Sequence, residues 1–251
     1  MATDKPIFLL VHGSWHKPHL YQPLEQALAA RGFALIIPTL PTMGQTATGV
    51  GWDADVELVL EQANALFAEG KEVVLIGHSY GGIPACIATR GNGAAERRAV
   101  GLPGGFCHII FLCAFVMPAV GFSLSSLISG RFPEWQEVSE SQDKKQLIVN
   151  GKARDALFND LPPERAQAYF DDLVPQSFAA VVQPVDFAVP DITIPKTYIV
   201  CENDQAFPAS LQRKRLAQAG LREVSVSGGH SAFSSVPVEL ADLLVQIATN
   251  R

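Results

Sequence analysis

Val73-Val74-Leu75-Ile76-Gly77-His78-Ser79-Tyr80-Gly81-Gly82, followed by the helix-compatible run 83–90, decides how this chain is read. The aliphatic quartet predicts a buried strand, and the G-x-S-x-G that follows turns that strand directly into a helix. The spacing has a steric reason. A serine on a sharp, strained turn needs glycines two before and two after it if strand and helix are to approach closely. Such a turn lifts the hydroxyl out of the carboxyl edge of a sheet and sets the unpaired N–H groups of a helix start beneath it.

Outward from this segment, short apolar runs at 7–11, 34–38, 108–115, 197–201 and 223–226 alternate with amphipathic stretches at 21–31, 53–69 and 208–219. Those stretches stop at Gly32, Gly70 and Gly220, where a left-handed residue is wanted after a helix, and a last helix is expected at 238–248. The alternation predicts an α/β fold: a mostly parallel sheet with helices on both faces. It breaks once, because the strands ending near Phe115 and beginning near Thr197 are separated by roughly 80 residues, far beyond an ordinary connection. The expectation is one domain, with a core of 1–116 and 196–251 and a helical cap inserted at 117–195. Helical stretches are expected there at 155–160 and 163–173. Of its aromatic residues Phe122, Phe132, Trp135, Phe158, Phe170, Phe178 and Phe187, some should bind the cap together and others line a cavity beneath it. The glycine-rich stretch 91–105 is read as a surface loop.

A serine hydroxyl is a poor nucleophile until a base takes its proton, so a histidine and an orienting acid are needed. For this chain order they should follow the serine as acid, then histidine. His230 is the only histidine beyond His108, and it sits in Ser227-Gly228-Gly229-His230-Ser231 after the last strand. The preceding strand opens into Glu202-Asn203-Asp204, two carboxylates in one loop. His78, inside the turn, is read as a packed structural histidine. For the oxyanion, the backbone amides of Ser14, in the turn His12-Gly13-Ser14-Trp15, and of Tyr80, after the serine, are the expected donors. His12, His16 and His19 lie in a turn with no acidic or cysteine ligand near, so no metal or cofactor is expected.

Composition narrows the class further. The 251 residues carry 19 basic and 25 acidic side chains, a net charge of −6, with 48% hydrophobic residues, which excludes a disordered chain. The short runs Arg97-Arg98 and Arg213-Lys214-Arg215 are read as solvated helix faces and give no footprint for nucleic acid. No run approaches the roughly 18 apolar residues of a membrane span, and no secretory leader is expected at the start. Cys86, Cys107, Cys113 and Cys201 form no C-x-x-C pair and read as reduced thiols of a cytoplasmic protein. The expected partner is a small-molecule substrate. The low charge fraction leaves room for a homodimer without demanding one.

The strand-HG turn, the GHSYGG segment, the cap and CENDQAFPASLQR together resemble the α/β-hydrolase superfamily. They are most similar to the small plant-type methylesterase and hydroxynitrile lyase group and related microbial esterases. The resemblance covers 7–115 and 197–248, and the cap shares only its position. In that group the acid follows a strand as Y-I-V-C-x-x-D with a later P-x-x-x-Q-R, matching Tyr198 to Asp204 and Pro208 to Arg213, which implies Asp204 rather than Glu202. Its lyases carry threonine where this chain has Gly13 and lysine where it has Ser231, so the lyase activity is weakened and the esterase gains. Ser79 also argues against the epoxide hydrolases and dehalogenases, whose turn bears aspartate. The resemblance implies hydrolysis of a small-to-medium carboxylic ester through an acyl-enzyme on Ser79, His230 and Asp204. Two alternatives stay open: a carbon–carbon lyase, retro-aldol or polyketide-release reaction with the same triad, and a ligand receptor that retains it.

Overall fold

The computed structural model describes residues 5–141 and 144–250. Its centre is a six-stranded sheet of β1 (Ile7–Val11), β2 (Leu35–Ile36), β3 (Glu72–His78), β4 (Gly105–Leu112), β8 (Lys196–Cys201) and β9 (Arg222–Val226). Every pairing in it is parallel. The helices are α1 (Gln22–Ala29), α2 (Trp52–Ala68), α3 (Gly82–Ala88), α4 (Ala94–Ala99), α9 (Ala209–Ala219), α10 (Ala232–Ser235) and α11 (Pro237–Thr249). Between β4 and β8 lie α5 (Leu124–Leu127), β5 (Gln136–Ser141), β6 (Lys144–Val149), α6 (Ala153–Leu157), α7 (Pro163–Asp171), β7 (Gln176–Ser177) and α8 (Phe178–Val182).

The continuous apolar runs of β1, β3 and β4 follow from cover on both faces. Alternate residues divide between two cores: Leu9, Val11, Val73, Leu75, Ile109 and Phe111 pack with α2 and α3. Phe8, Leu10, Val74, Ile76, Ile110 and Leu112 pack with α1 and α11. Strand order is β2-β1-β3-β4-β8-β9, so the chain leaves β1 toward one edge and returns through β3 toward the other. A crevice therefore opens beyond the carboxyl ends of β1 and β3, where open α/β sheets take ligands.

Three details differ from the sequence expectation. Strand β4 stops at Leu112 rather than running to Phe115, because Cys113 takes a positive φ of 36° and turns the chain away. The stretch 91–105 is not simply a loop: it holds α4, whose start is capped by the Glu96 carboxylate accepting from the Gly93 N–H at 3.0 Å. The segment between β4 and β8 is helical as expected and also carries an antiparallel sheet, β5-β6-β7. Among the described residues no helix is long and apolar enough to cross a membrane.

Candidate active site

Ser79 sits at the end of β3 with φ +52°, a left-handed value that costs energy in a non-glycine residue. The flanking glycines make the turn feasible. A Cβ on Gly77 would stand 2.6 Å from the Gly82 Cα, and one on Gly81 would collide with the Val11 carbonyl. Pairing of Val11 with Gly77 sets the β1 turn, His12-Gly13-Ser14, directly beside the serine. Pairing of Cys201 with Val226 brings the loops after β8 and β9 together on the other side.

These loops bring Ser79, His230 and Asp204 into one hydrogen-bonded line. His230 Nδ1 lies 2.8 Å from Asp204 Oδ2, and His230 Nε2 lies 3.1 Å from Ser79 Oγ. Since a carboxylate only accepts, the ring proton sits on Nδ1, and Nε2 is left to accept from the serine hydroxyl. Asp204 is buried and further held by the amides of Ala206 and Phe207, each at 2.8 Å, and by Gln212 Nε2 at 3.1 Å. Glu202, the other carboxylate of that loop, faces outward and pairs with Arg213 at 2.5 Å, which holds its carboxyl below the ordinary range.

His78 has no part in that line but braces it. Its Nε2–H donates to the His230 carbonyl at 3.0 Å, so its Nδ1 accepts from the Tyr21 hydroxyl at 2.7 Å, and that hydroxyl accepts from the Gly13 N–H at 3.1 Å. One chain of hydrogen bonds thus ties the β1 turn, the serine turn and the histidine loop. Burial and the neighbouring His230 push the His78 pKa well down, so it works as a neutral relay of position.

The Ser14 peptide is fixed from its other side. The Gly13 carbonyl, in the same peptide plane as the Ser14 N–H, accepts from His12 Nδ1 at 3.0 Å and from the His16 amide at 3.4 Å. His12 Nε2 accepts from the Leu40 N–H at 3.2 Å, and burial lowers its pKa to about 4. His16 donates from Nδ1 to the Ser14 carbonyl at 2.7 Å and is lowered by burial to about 3. His19 instead pairs with Asp172 at the surface, so these three histidines share no centre. Among the described residues His78, Cys113 and His230 bring potential metal donors together, but each is already committed: the Cys113 thiol and His78 Nε2 to the His230 carbonyl, and His230 to Asp204 and Ser79. A Cβ at Gly13 would meet His78 Nδ1 at 2.9 Å and Ser79 Cβ at 3.0 Å, so a threonine there finds no room.

Two contributors escaped the sequence. Asp160, between α6 and α7, accepts from the Gly229 N–H at 2.5 Å, and Asn159 donates to the Asn203 carbonyl at 3.0 Å. The insertion thereby grips both the acid and the histidine loops. Asp55, fully buried on α2, accepts from the Tyr80 hydroxyl at 2.7 Å and from the Thr42 hydroxyl and amide at 2.7 and 3.1 Å. Burial raises its carboxyl to about 6 despite those donors. An Asp in the first turn of α2, far in sequence from the strand ends, carries no local signal of such a role.

Above Ser14, Ser79 and His230 lies a cavity of about 480 Å³, walled by Trp15, Phe115, Phe132, Trp135, Leu147 and Phe207. Phe132 and Trp135 are two of the expected lining aromatics, whereas Phe158 is buried against His16 and Tyr169 and belongs to the packing.

Residues 8–243 match the model of the alpha/beta hydrolase family. The chain is 28% identical to an alpha/beta hydrolase, nvfD, of Aspergillus novofumigatus, over 98% of this chain and 96% of the other. It is also 28% identical to the carbendazim hydrolyzing esterase of a Nocardioides species, over 96% and 98%. Among solved structures, polyneuridine aldehyde esterase superposes with a TM-score of 0.79 at 18% identity, covering 98% of this chain and 100% of that one. A methylesterase from Arabidopsis gives 0.73 at 20%, covering 98% and 100%.

Proposed function

The chain belongs to the alpha/beta hydrolase family, and from that premise we propose that it hydrolyses a small-to-medium carboxylic ester through an acyl-enzyme on Ser79. The enzyme is a carboxylic ester hydrolase. Ser79 Oγ attacks the ester carbonyl carbon while His230 Nε2 takes the hydroxyl proton, and Asp204 steadies the resulting imidazolium. The negative oxygen of the tetrahedral intermediate accepts from the Ser14 and Tyr80 amides. Collapse breaks the bond to the alcohol oxygen, which leaves with the proton from His230. Water then adds to the acyl group with His230 again as base, releasing the acid and restoring Ser79. Residues 117–195 act as the cap over a core of 1–116 and 196–251, and the cytoplasm is the setting we assign to it.

The observation that carries the reading is the directed line from Ser79 Oγ through His230 to Asp204 at the floor of an apolar cavity. The lysine and threonine of the lyases have no counterpart at Ser231 and Gly13. Hydrolysis of p-nitrophenyl esters of increasing acyl length, by wild type and Ser79→Ala in parallel, tests it. A chain-length optimum that vanishes in the variant is the expected result. A single burst per chain, or no turnover, would transfer the role to a receptor or to carbon–carbon cleavage.

A further inference from the structure

The residues lining the cavity include three cations, Arg131, Lys214 and Arg215, and no aspartate or glutamate. They gather at one cavity in a chain whose net charge is −6. Other described cations are paired with carboxylates: Arg213, one residue earlier on α9, pairs with Glu202 at 2.5 Å and Glu223 at 2.7 Å. Arg31 pairs with Asp242, Arg90 with Asp186 and Lys152 with Glu134. Among the described residues, none of the three cavity cations has a carboxylate partner; Arg215 is held only by the Leu127 carbonyl, at 2.8 Å. The run 213–215 is therefore not one solvated face, as its sequence suggests. Arg213 turns to the outer acids, and the next two residues turn to the cavity.

We propose that the ester hydrolysed here carries an anionic group, a carboxylate or an acidic enol or phenol, which the Arg131, Lys214 and Arg215 cluster receives while the ester carbon reaches Ser79. This rests on the esterase reading and names its substrate class. Two separate parts of the chain, the insertion with Arg131 and α9 with Lys214 and Arg215, deliver the same sign of charge to one opening. Apolar walls of low dielectric constant, such as Phe132, Trp135 and Phe207, focus that field into the cavity rather than letting water disperse it. The apolar walls take the carbon skeleton, and the cations take the charge. Arg131 and Lys214 are exposed, so the attraction is screened by salt and sets binding and selectivity rather than the chemical step.

The test separates binding from turnover. Trp15 and Trp135 both line the cavity and provide an intrinsic fluorescence signal. Ser79→Ala protein, which leaves bound esters intact, is titrated with monomethyl suberate and with methyl octanoate, matched in acyl length but not in charge. The charged ester is expected to bind about tenfold more tightly at low ionic strength. Half-molar salt removes most of that margin, as does Arg131→Gln with Lys214→Gln, while Arg131→Lys retains it. Equal or weaker binding of the charged ester, absence of saturable binding, or a margin indifferent to both salt and the Gln variants overturns the proposal. Wild-type turnover of p-nitrophenyl octanoate, measured beside it, judges the esterase reading separately.

Discussion

The floor of the cavity and its upper wall are built on opposite principles. At the floor, Asp204, His230 and His78 are buried, and each polar atom of their line has a named partner, from the Ala206 amide to the Tyr21 hydroxyl. In the upper wall, Phe132 and Trp135 are only half-buried, and among the described residues the neighbouring cations have no carboxylate partner. Order is concentrated at the floor. In the reaction proposed above, the atoms that meet the reacting carbon are over-determined by hydrogen bonds, whereas those assigned to the rest of the substrate are held by contact area and field, which tolerate variation.

The division is tested most severely at the serine itself. Ser79→Ala is expected to lower kcat roughly 10⁴-fold or more, leaving the thermal midpoint nearly unchanged because, among the described residues, the hydroxyl bonds only to His230. Steady-state kinetics and a melt of the same sample check it. Residual turnover above a hundredth of wild type would mean that the floor is not where the chemistry happens.

Asp55 tests whether the over-determination extends a layer deeper, under Tyr80. Its carboxyl has an ordinary value of 3.8 and is raised by burial to about 6, so the folded state holds its proton more tightly than the unfolded chain. The stabilisation from that proton is complete below about 3.8 and is lost as pH rises through about 6. Across this window wild type should lose up to about 3 kcal/mol relative to Asp55→Asn, the other carboxylates cancelling in the difference. Urea unfolding of both proteins at about pH 4 and pH 7.5 reads it. Parallel stability curves would place the carboxyl outside the burial the geometry gives it.

The two regions also differ in how far the sequence discloses them. The serine turn, the β1 turn and the acid and histidine loops were legible because each is a local demand: a glycine where a Cβ has no room, or a polar residue at a strand's carboxyl end. The acid remained open between Glu202 and Asp204 until the resemblance ordered them, since adjacent loop carboxylates differ only in where the loop turns them. The fold was legible from apolar alternation, but α4 hid among glycines and β5 and β6 hid in polar sequence, having only residues such as Leu147 to bury. Lys214 and Arg215 read as a surface run because the cavity they line is completed by the insertion, far away in sequence, whose Leu127 carbonyl holds Arg215.

Asp160 is where the two regions touch, and its loss should fall between them in size. Asp160→Ala removes the acceptor for the Gly229 amide and frees the histidine loop. The expected cost is about 10- to 100-fold in kcat with KM little changed, since a shift of about 1 Å in a catalytic group is worth that much. Asp160→Asn, which keeps an acceptor oxygen, should recover most of it. A matching rise in KM for both variants would make Asp160 part of the substrate wall instead.

The smallest effect separates most finely, because it compares two rings in contact. Trp15 and Trp135 meet edge to face with centroids 5.6 Å apart, and both line the cavity. Trp15 belongs to the floor: it follows Ser14, takes a φ of +66°, accepts from the Val174 amide at 2.9 Å and donates from Nε1 to the Leu147 carbonyl at 3.0 Å. Trp135 lines the cavity, and in the proposed reaction it offers the substrate area alone. Trp135→Ala should therefore raise KM for long-acyl esters about 3- to 10-fold while kcat stays within about twofold, and short-acyl esters should barely respond. Trp15→Ala, by loosening the turn that carries the Ser14 amide, should lower kcat for long and short esters alike. If Trp135→Ala instead lowers kcat for a short ester, the wall is positioning the reacting atoms, and the separation between a floor that performs the chemistry and a wall that selects the substrate no longer holds.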